Sequence, residues 1–221
     1  METRQQFKAL SKICLNNWHY IDRKILSFHE GINFFTGHSG SGKSTVIDAM
    51  QLVLYANTDG RGFFNKAAAD DSDRSLIEYL RGMVNIGENN ESQYLRNKNF
   101  SSTIVLEFTE TESRQSQCVG VVFDVETATN EISRLFFWHK GGLLENDYRA
   151  DKRCLTTGEI REYLQRNFSN NENIIMYDLS RLEELPEIIN EVLCNDRYRE
   201  NIADNAYMLA KDKHTWEVRG K

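Results

Sequence analysis

The stretch Gly37-His38-Ser39-Gly40-Ser41-Gly42-Lys43-Ser44-Thr45 decides how the rest of this chain is read. It follows the pattern G-x-x-x-x-G-K-S, in which small residues let successive backbone N–H groups close around an anion. The lysine of such a pattern reaches the β- and γ-phosphates of a nucleotide, and the hydroxyl after it holds Mg²⁺. The flanks agree with this reading. Ile32 to Thr36 is predicted as a short strand running into the loop. Ser44 to Tyr55 is predicted as a helix with Val46, Met50, Val53 and Leu54 on one face. A strand, a glycine-rich turn and a helix N-terminus together place a phosphate at the positive end of a helix dipole. A serine-glycine linker is the alternative, and it fits badly because apolar segments flank the loop tightly.

Outward from the loop, Ile13 to Trp18 and Lys24 to Phe28 read as strands that precede it. After the helix, Asn57-Thr58-Asp59-Gly60-Arg61-Gly62 is a turn-rich break. Asp70-Asp71-Ser72-Asp73 offers N-cap residues for a helix over Ser75 to Arg81. The polar span 84–101 reads as a loop. Ser102 to Phe108, Cys118 to Val125 and Glu131 to Trp138 then alternate in character with short polar connections, which predicts an antiparallel meander. A helix over Thr156 to Phe168 is capped by Thr156 or Thr157.

Composition narrows the function classes. The 221 residues are 40% hydrophobic and 27% charged, enough for a packed core in one large domain or one and a half. Mean hydropathy is −0.58, and no segment approaches the eighteen or so apolar residues of a membrane span. The N-terminus, Met1-Glu2-Thr3-Arg4-Gln5-Gln6, carries no apolar signal core, so a cytoplasmic protein without a membrane partner is expected. Cys14, Cys118, Cys154 and Cys194 are scattered, which signals reduced thiols rather than a zinc site or a disulfide framework. The net charge of −6 comes without a basic run, so direct DNA contact is not written in the composition.

Asn17-Trp18, Gly31-Ile32-Asn33-Phe34-Phe35-Thr36-Gly37, the loop, and Val46-Ile47-Asp48-Ala49-Met50-Gln51-Leu52-Val53-Leu54 resemble the N-terminal half-head of an SMC-type ATPase. Phe63-Phe64-Asn65-Lys66-Ala67-Ala68, Arg74-Ser75-Leu76, Tyr79-Leu80-Arg81-Gly82 and Tyr94-Leu95-Arg96-Asn97 narrow this. They are similar to the MukB-like ATPase subunit of Wadjet plasmid-defence systems, the JetC family, over roughly residues 10–165. The resemblance implies ATP bound with Mg²⁺ between two heads, within a complex that handles DNA. By position, Gly37, Gly40 and Gly42 would shape the loop, with His38, Ser39 and Ser41 between them. Lys43 would contact the β/γ-phosphates, Ser44 would ligate Mg²⁺, and Thr45 would approach the α-phosphate. Arg61 and Arg74 are candidates for the arginine such heads place near nucleotide or DNA, with surface charge as the other reading.

The departures from that family are as informative. Its heads draw the signature segment, the Walker B aspartate and the catalytic glutamate from a distant C-terminal part, and no LSGG-like stretch appears here. Val119-Gly120-Val121-Val122-Phe123-Asp124 and Ile174-Ile175-Met176-Tyr177-Asp178 imitate Walker B. Neither carries an acid directly after its aspartate, and core strands ending in a polar residue are the simpler reading. Catalytic residues are therefore not identified. Residues 182–193 and 196–211 show helical apolar spacing, and His214-Thr215-Trp216 follows. Residues 174–219 together resemble the extreme C-terminal helix pair of GT-B glycosyltransferases. Glu183 and Glu191 imitate a site motif of those enzymes without its glycine-containing loop.

The expected architecture is α/β: a P-loop NTPase half-head of the ABC/SMC kind over residues 1–168, with an antiparallel β-meander. A junction over 169–173 would lead to a tail over 174–221, made of a short strand and a helical hairpin. The expected function is binding of ATP and Mg²⁺ without competent hydrolysis by this chain alone. Turnover would need a separate chain supplying the complementary half-head, or other subunits of an SMC-like complex. A non-catalytic interaction protein or gene remnant is the alternative.

Overall fold

The computed structural model describes residues 7–55, 75–86, 92–168 and 174–177. All of them belong to one compact unit, Met1–Asp178. Two strands open it, β1 (Lys8–Trp18) and β2 (Ile21–Ser27), and the helices α1 (Lys43–Leu54) and α2 (Leu76–Arg81) follow. A small hairpin, β3 (Met83–Ile86) with β4 (Ser92–Tyr94), leads into the meander of β5 (Phe100–Glu110), β6 (Ser116–Glu126) and β7 (Glu131–Lys140). A second small hairpin, β8 (Arg149–Ala150) with β9 (Arg153–Cys154), precedes α3 (Thr157–Asn167) and β10 (Ile174–Tyr177).

The main sheet has six strands in the order β10-β7-β6-β5-β1-β2, and each neighbouring pair is antiparallel. The predicted meander is present, and β10 adds to its outer edge by pairing with β7. Successive side chains of a strand point to opposite faces, and the sheet follows that rule closely. Ile13, Leu15, Ile104, Leu106, Val121 and Phe123 pack on one face with Val46, Ala49, Leu52 and Val53 of α1 and Leu76, Tyr79 and Leu80 of α2. The residues between them, Cys14, Val105 and Val122, pack on the other face with Leu135, Phe137 and Ile160 and Leu164 of α3. Gly120 sits where a Cβ would lie 2.7 Å from the Phe137 ring and 2.9 Å from the Ile104 carbonyl oxygen. Only a bare Cα fits there.

The second face also buries a polar group. His139 and Tyr148 are both 0% exposed, and their Nε2 and Oη atoms are 2.8 Å apart. Nδ1 of His139 lies 3.1 Å from the Lys140 carbonyl, which can only accept. The proton therefore sits on Nδ1, and Nε2 accepts from the tyrosine hydroxyl. Burial pushes the histidine pKa down, against the pull of the Lys140 carbonyl and Glu107.

Four sequence expectations change. Ile32 to Thr36 lies in no strand, because among the described residues nothing pairs with it. Asn33 instead closes a turn with His29, accepting from its N–H and donating to its carbonyl. On α1, Ala49 and Leu52 are buried where Leu54 was expected, and Leu54 is 58% exposed. Ser75 is the N-cap of α2, in a capping box with Glu78, rather than the acidic run before it. The polar span 84–101 contains the β3–β4 hairpin, whose sequence lacks the apolar alternation that marks a strand. Arg61, Arg74, Asp178, Glu183, Glu191 and the two tail helices lie outside the described residues.

Candidate functional site

The loop before α1 has the backbone that its glycines allow. Gly37, Gly40 and Gly42 take φ values of 146°, 79° and 91°, the left-handed region where a side chain is strained. Gly42 is the N-cap of α1, and the first intrahelical bond runs from the Val46 N–H to the Gly42 carbonyl at 3.1 Å. The N–H groups of Lys43, Ser44 and Thr45 thus stand at the helix end, where no carbonyl four residues back is in helical position. The other two helices answer that positive end with a carboxylate of their own, Glu78 on α2 and Glu159 on α3, each in a capping box. Glu159 is held down to about 2, first by Arg153 and next by the Thr156 N–H. By contrast α1 has no acidic residue in its first turn and no side-chain cap. Its N-terminus is the one of the three, among the described residues, that brings no carboxylate of its own, and a helix end of that kind suits an external anion.

Lys43 turns back over the loop. Its ammonium donates to the Gly37 and His38 carbonyls, both at 2.8 Å, and to Ser41 Oγ at 3.3 Å. That places a positive charge inside the ring of backbone that the glycines form. His38, Ser39 and Ser41 are exposed, Lys43 and Ser44 half-buried, and Thr45 buried. A triphosphate fits this donor set: backbone N–H groups at a helix end, the Lys43 ammonium, and the Ser44 hydroxyl in the first turn for Mg²⁺.

The loop is tied to the sheet by residues that the motif does not contain. Trp18, fully buried at the end of β1, donates its indole N–H to the Thr45 carbonyl at 2.8 Å. Tyr79 of α2 donates its hydroxyl to Asp48 of α1 at 2.6 Å, with both residues 3% exposed. Tyr20, in the turn between β1 and β2, lies against Gly42 and reaches the Gly40 carbonyl at 3.5 Å. The sequence offered only a weak signal for two of these three, a run of aromatics, Trp18-His19-Tyr20, at a strand end. Nothing local says that it faces residues 40–45.

Asp124 is brought nowhere near a role in this loop by its contacts. Its carboxylate accepts from Ser101 Oγ at 2.7 Å and from the N–H and Oγ1 of Thr157 at 3.0 and 2.6 Å. It is a tether for the start of α3. The Walker B imitation in β6 is thus part of a core strand whose Asp124 carboxylate serves the next layer.

Residues 10–71 match a family profile described as the P-loop containing region of AAA domain. A structure solved in work on the ATP-driven dimerization and DNA-stimulated activation of SMC ATPases is similar at 15% sequence identity and a TM-score of 0.34, over 72% of this chain and 96% of that one. No curated protein sequence matches the chain. The profile match spans β1, β2, the loop and α1, the elements whose geometry builds the anion cradle. Residues 10–71 are thus similar to the P-loop region that the profile describes, within a unit of mixed helices and antiparallel strands.

Proposed function

We propose that this chain is the nucleotide-binding half of an SMC-like ATPase head of the JetC kind, and that it binds Mg-ATP through residues 37–45. The observation that carries the reading is the start of α1: three glycines at positive φ, Lys43 gathered over them, and a helix end without an acidic cap. Lys43 neutralises the terminal phosphates, Ser44 ligates Mg²⁺, and the N–H groups at the start of α1 hold the phosphate oxygens. A Mg²⁺ held there by Ser44 would draw off phosphate charge.

Hydrolysis needs more than binding. A water must be oriented, and the γ-phosphate must be closed over from the far side. Residues 37–45 include no carboxylate for that, and the carboxylate of Asp124 is committed to α3. Turnover on this reading belongs to an assembly in which a complementary half-head, on a separate chain or a further segment, completes the pocket. The segment after β2 supports this. Ile32 and Phe34 are 78% and 83% exposed, and Phe35 is 40% exposed against Phe28. This apolar segment, which lies in no strand among the described residues, offers exposed apolar surface to a partner. The glycosyltransferase-like tail, taken to begin after β10 because β10 pairs with β7, and a role in plasmid defence belong to the same proposal.

Calorimetry with Mg-ATP tests it. Wild type should bind with at best micromolar affinity, Lys43→Ala should give no signal, and neither should hydrolyse ATP above background. Equal affinity for the two proteins would remove the phosphate-loop assignment. Robust turnover by the wild type alone would remove the half-head reading.

A further inference from the structure

The space beside Gly42 is already filled. A Cβ on that residue would lie 2.3 Å from Tyr20 Oη and 3.3 Å from Tyr20 Cζ, so the tip of the ring rests on the glycine's Cα. The same hydroxyl donates to the Gly40 carbonyl at 3.5 Å, a long bond that adds little beside the ring contact. Tyr20 is itself supported from behind. Its ring stands edge-on to His19 at 4.8 Å and 89°, and His19 stands edge-on to Tyr79 at 4.9 Å and 67°. Tyr79 packs on Trp18 at 5.3 Å. Two members of this row hold α1 directly, Trp18 at the Thr45 carbonyl and Tyr79 at Asp48. Tyr20, 45% exposed, is its outer end and the one member that touches the loop's glycines.

We propose that Tyr20 is a positioning residue of the phosphate loop, acting through Gly42 and Gly40, which rests on the reading of that loop as a nucleotide site. Glycine loses more conformational freedom on ordering than any other residue, so a loop with three glycines at positive φ is costly to hold in one shape. A flat ring against the outer side of Gly42 removes part of that freedom before a ligand arrives, and preorganisation of this kind appears as affinity. Without the ring, two glycines must be ordered at the expense of binding, which weakens affinity on the order of tenfold. The effect goes through the phosphates, so it does not depend on a base or a ribose.

Calorimetric titration of the full chain with Mg-ATP and with Mg-tripolyphosphate separates the outcomes. Tyr20→Ala should weaken both probes by about tenfold, Tyr20→Leu should weaken both in the same direction, and Tyr20→Phe should stay within about twofold of wild type. The leucine variant keeps apolar bulk in the turn and guards against loss of folding in Tyr20→Ala, and thermal melts confirm that each is folded. If Tyr20→Ala loses ATP affinity but keeps tripolyphosphate, the residue contacts the base and the proposal is overturned. If both folded variants bind both probes like wild type while Lys43→Ala does not bind, the proposal fails and the nucleotide reading stands. If wild type binds neither probe, or Lys43→Ala binds like wild type, the nucleotide reading itself fails.

Discussion

Replacing Tyr79 by phenylalanine deletes one atom from the joint that holds α1 to α2. The lost hydroxyl donates to the Asp48 carboxylate at 2.6 Å, within the short range of charge-assisted O–H···O⁻ bonds, and both residues are 3% exposed. Hydrogen bonds to charged groups contribute about 1.5–3 kcal/mol, and water cannot easily replace the donor at this depth. The ring stays, with its contacts to Trp18 and His19, so little of the cost is packing. Tyr79→Phe should therefore cost about 2 kcal/mol. With a urea slope of about 2 kcal/mol per molar, the unfolding midpoint should fall by about 1 M. Asp48→Asn keeps an acceptor and removes the charge, so Tyr79→Phe should cost only about 1 kcal/mol in that background. Urea melts of the four proteins, followed by circular dichroism, measure the coupling. A Tyr79→Phe protein within about 0.5 kcal/mol of wild type, or an equal cost in both backgrounds, would refute the charge-assisted joint.

Three more outcomes follow from the described contacts. Asp124→Asn should destabilise the protein by about 1–3 kcal/mol through the start of α3 yet leave Mg-ATP affinity unchanged by calorimetry; a selective loss of Mg²⁺-dependent binding would restore Asp124 as a metal residue. Burial lowers the His139 pKa, so the neutral ring is the folded form. Below about pH 6.5 the unfolded chain takes up a proton that the folded chain resists. Stability present above that pH should thus fall as the pH drops from 7 to 5.5, with a melting-point slope that flattens in His139→Gln. Gly120→Ala should cost about 1–3 kcal/mol, because its Cβ meets the Phe137 ring and two groups of β5 within 3.0 Å; a thermal melt equal to wild type would show that β5 and β7 can separate there.

Much of the fold was legible because its signals are local. The glycines, lysine and serine of residues 37–45 carry their conformational and chemical demands in their own side chains. Alternation in Ser102 to Phe108 and Cys118 to Val125 reads directly as two buried faces, because a slip of one residue would exchange them. The capping box at Thr156 and Glu159 is likewise a four-residue pattern. Where the reading missed, the deciding partner was distant. Ile32 to Thr36 has the composition of a strand, but a strand exists only with a neighbour to take its hydrogen bonds, and none among the described residues does. The β3–β4 hairpin errs in the other direction, since cross-strand bonds form it without apolar alternation.

The amino-acid sequence by itself determined that this chain presents a phosphate loop at the head of a helix, followed by an antiparallel meander with two packed faces. Those properties depend on residue type and spacing over a few neighbours. Only the tertiary structure decided what braces the loop and which acid is free to serve it. Trp18 meets Thr45 across 27 positions, Tyr79 meets Asp48 across 31, and Asp124 meets Thr157 across 33. Contacts at such separations are set when the sheet brings strands and helices together, and no local pattern of residues records them.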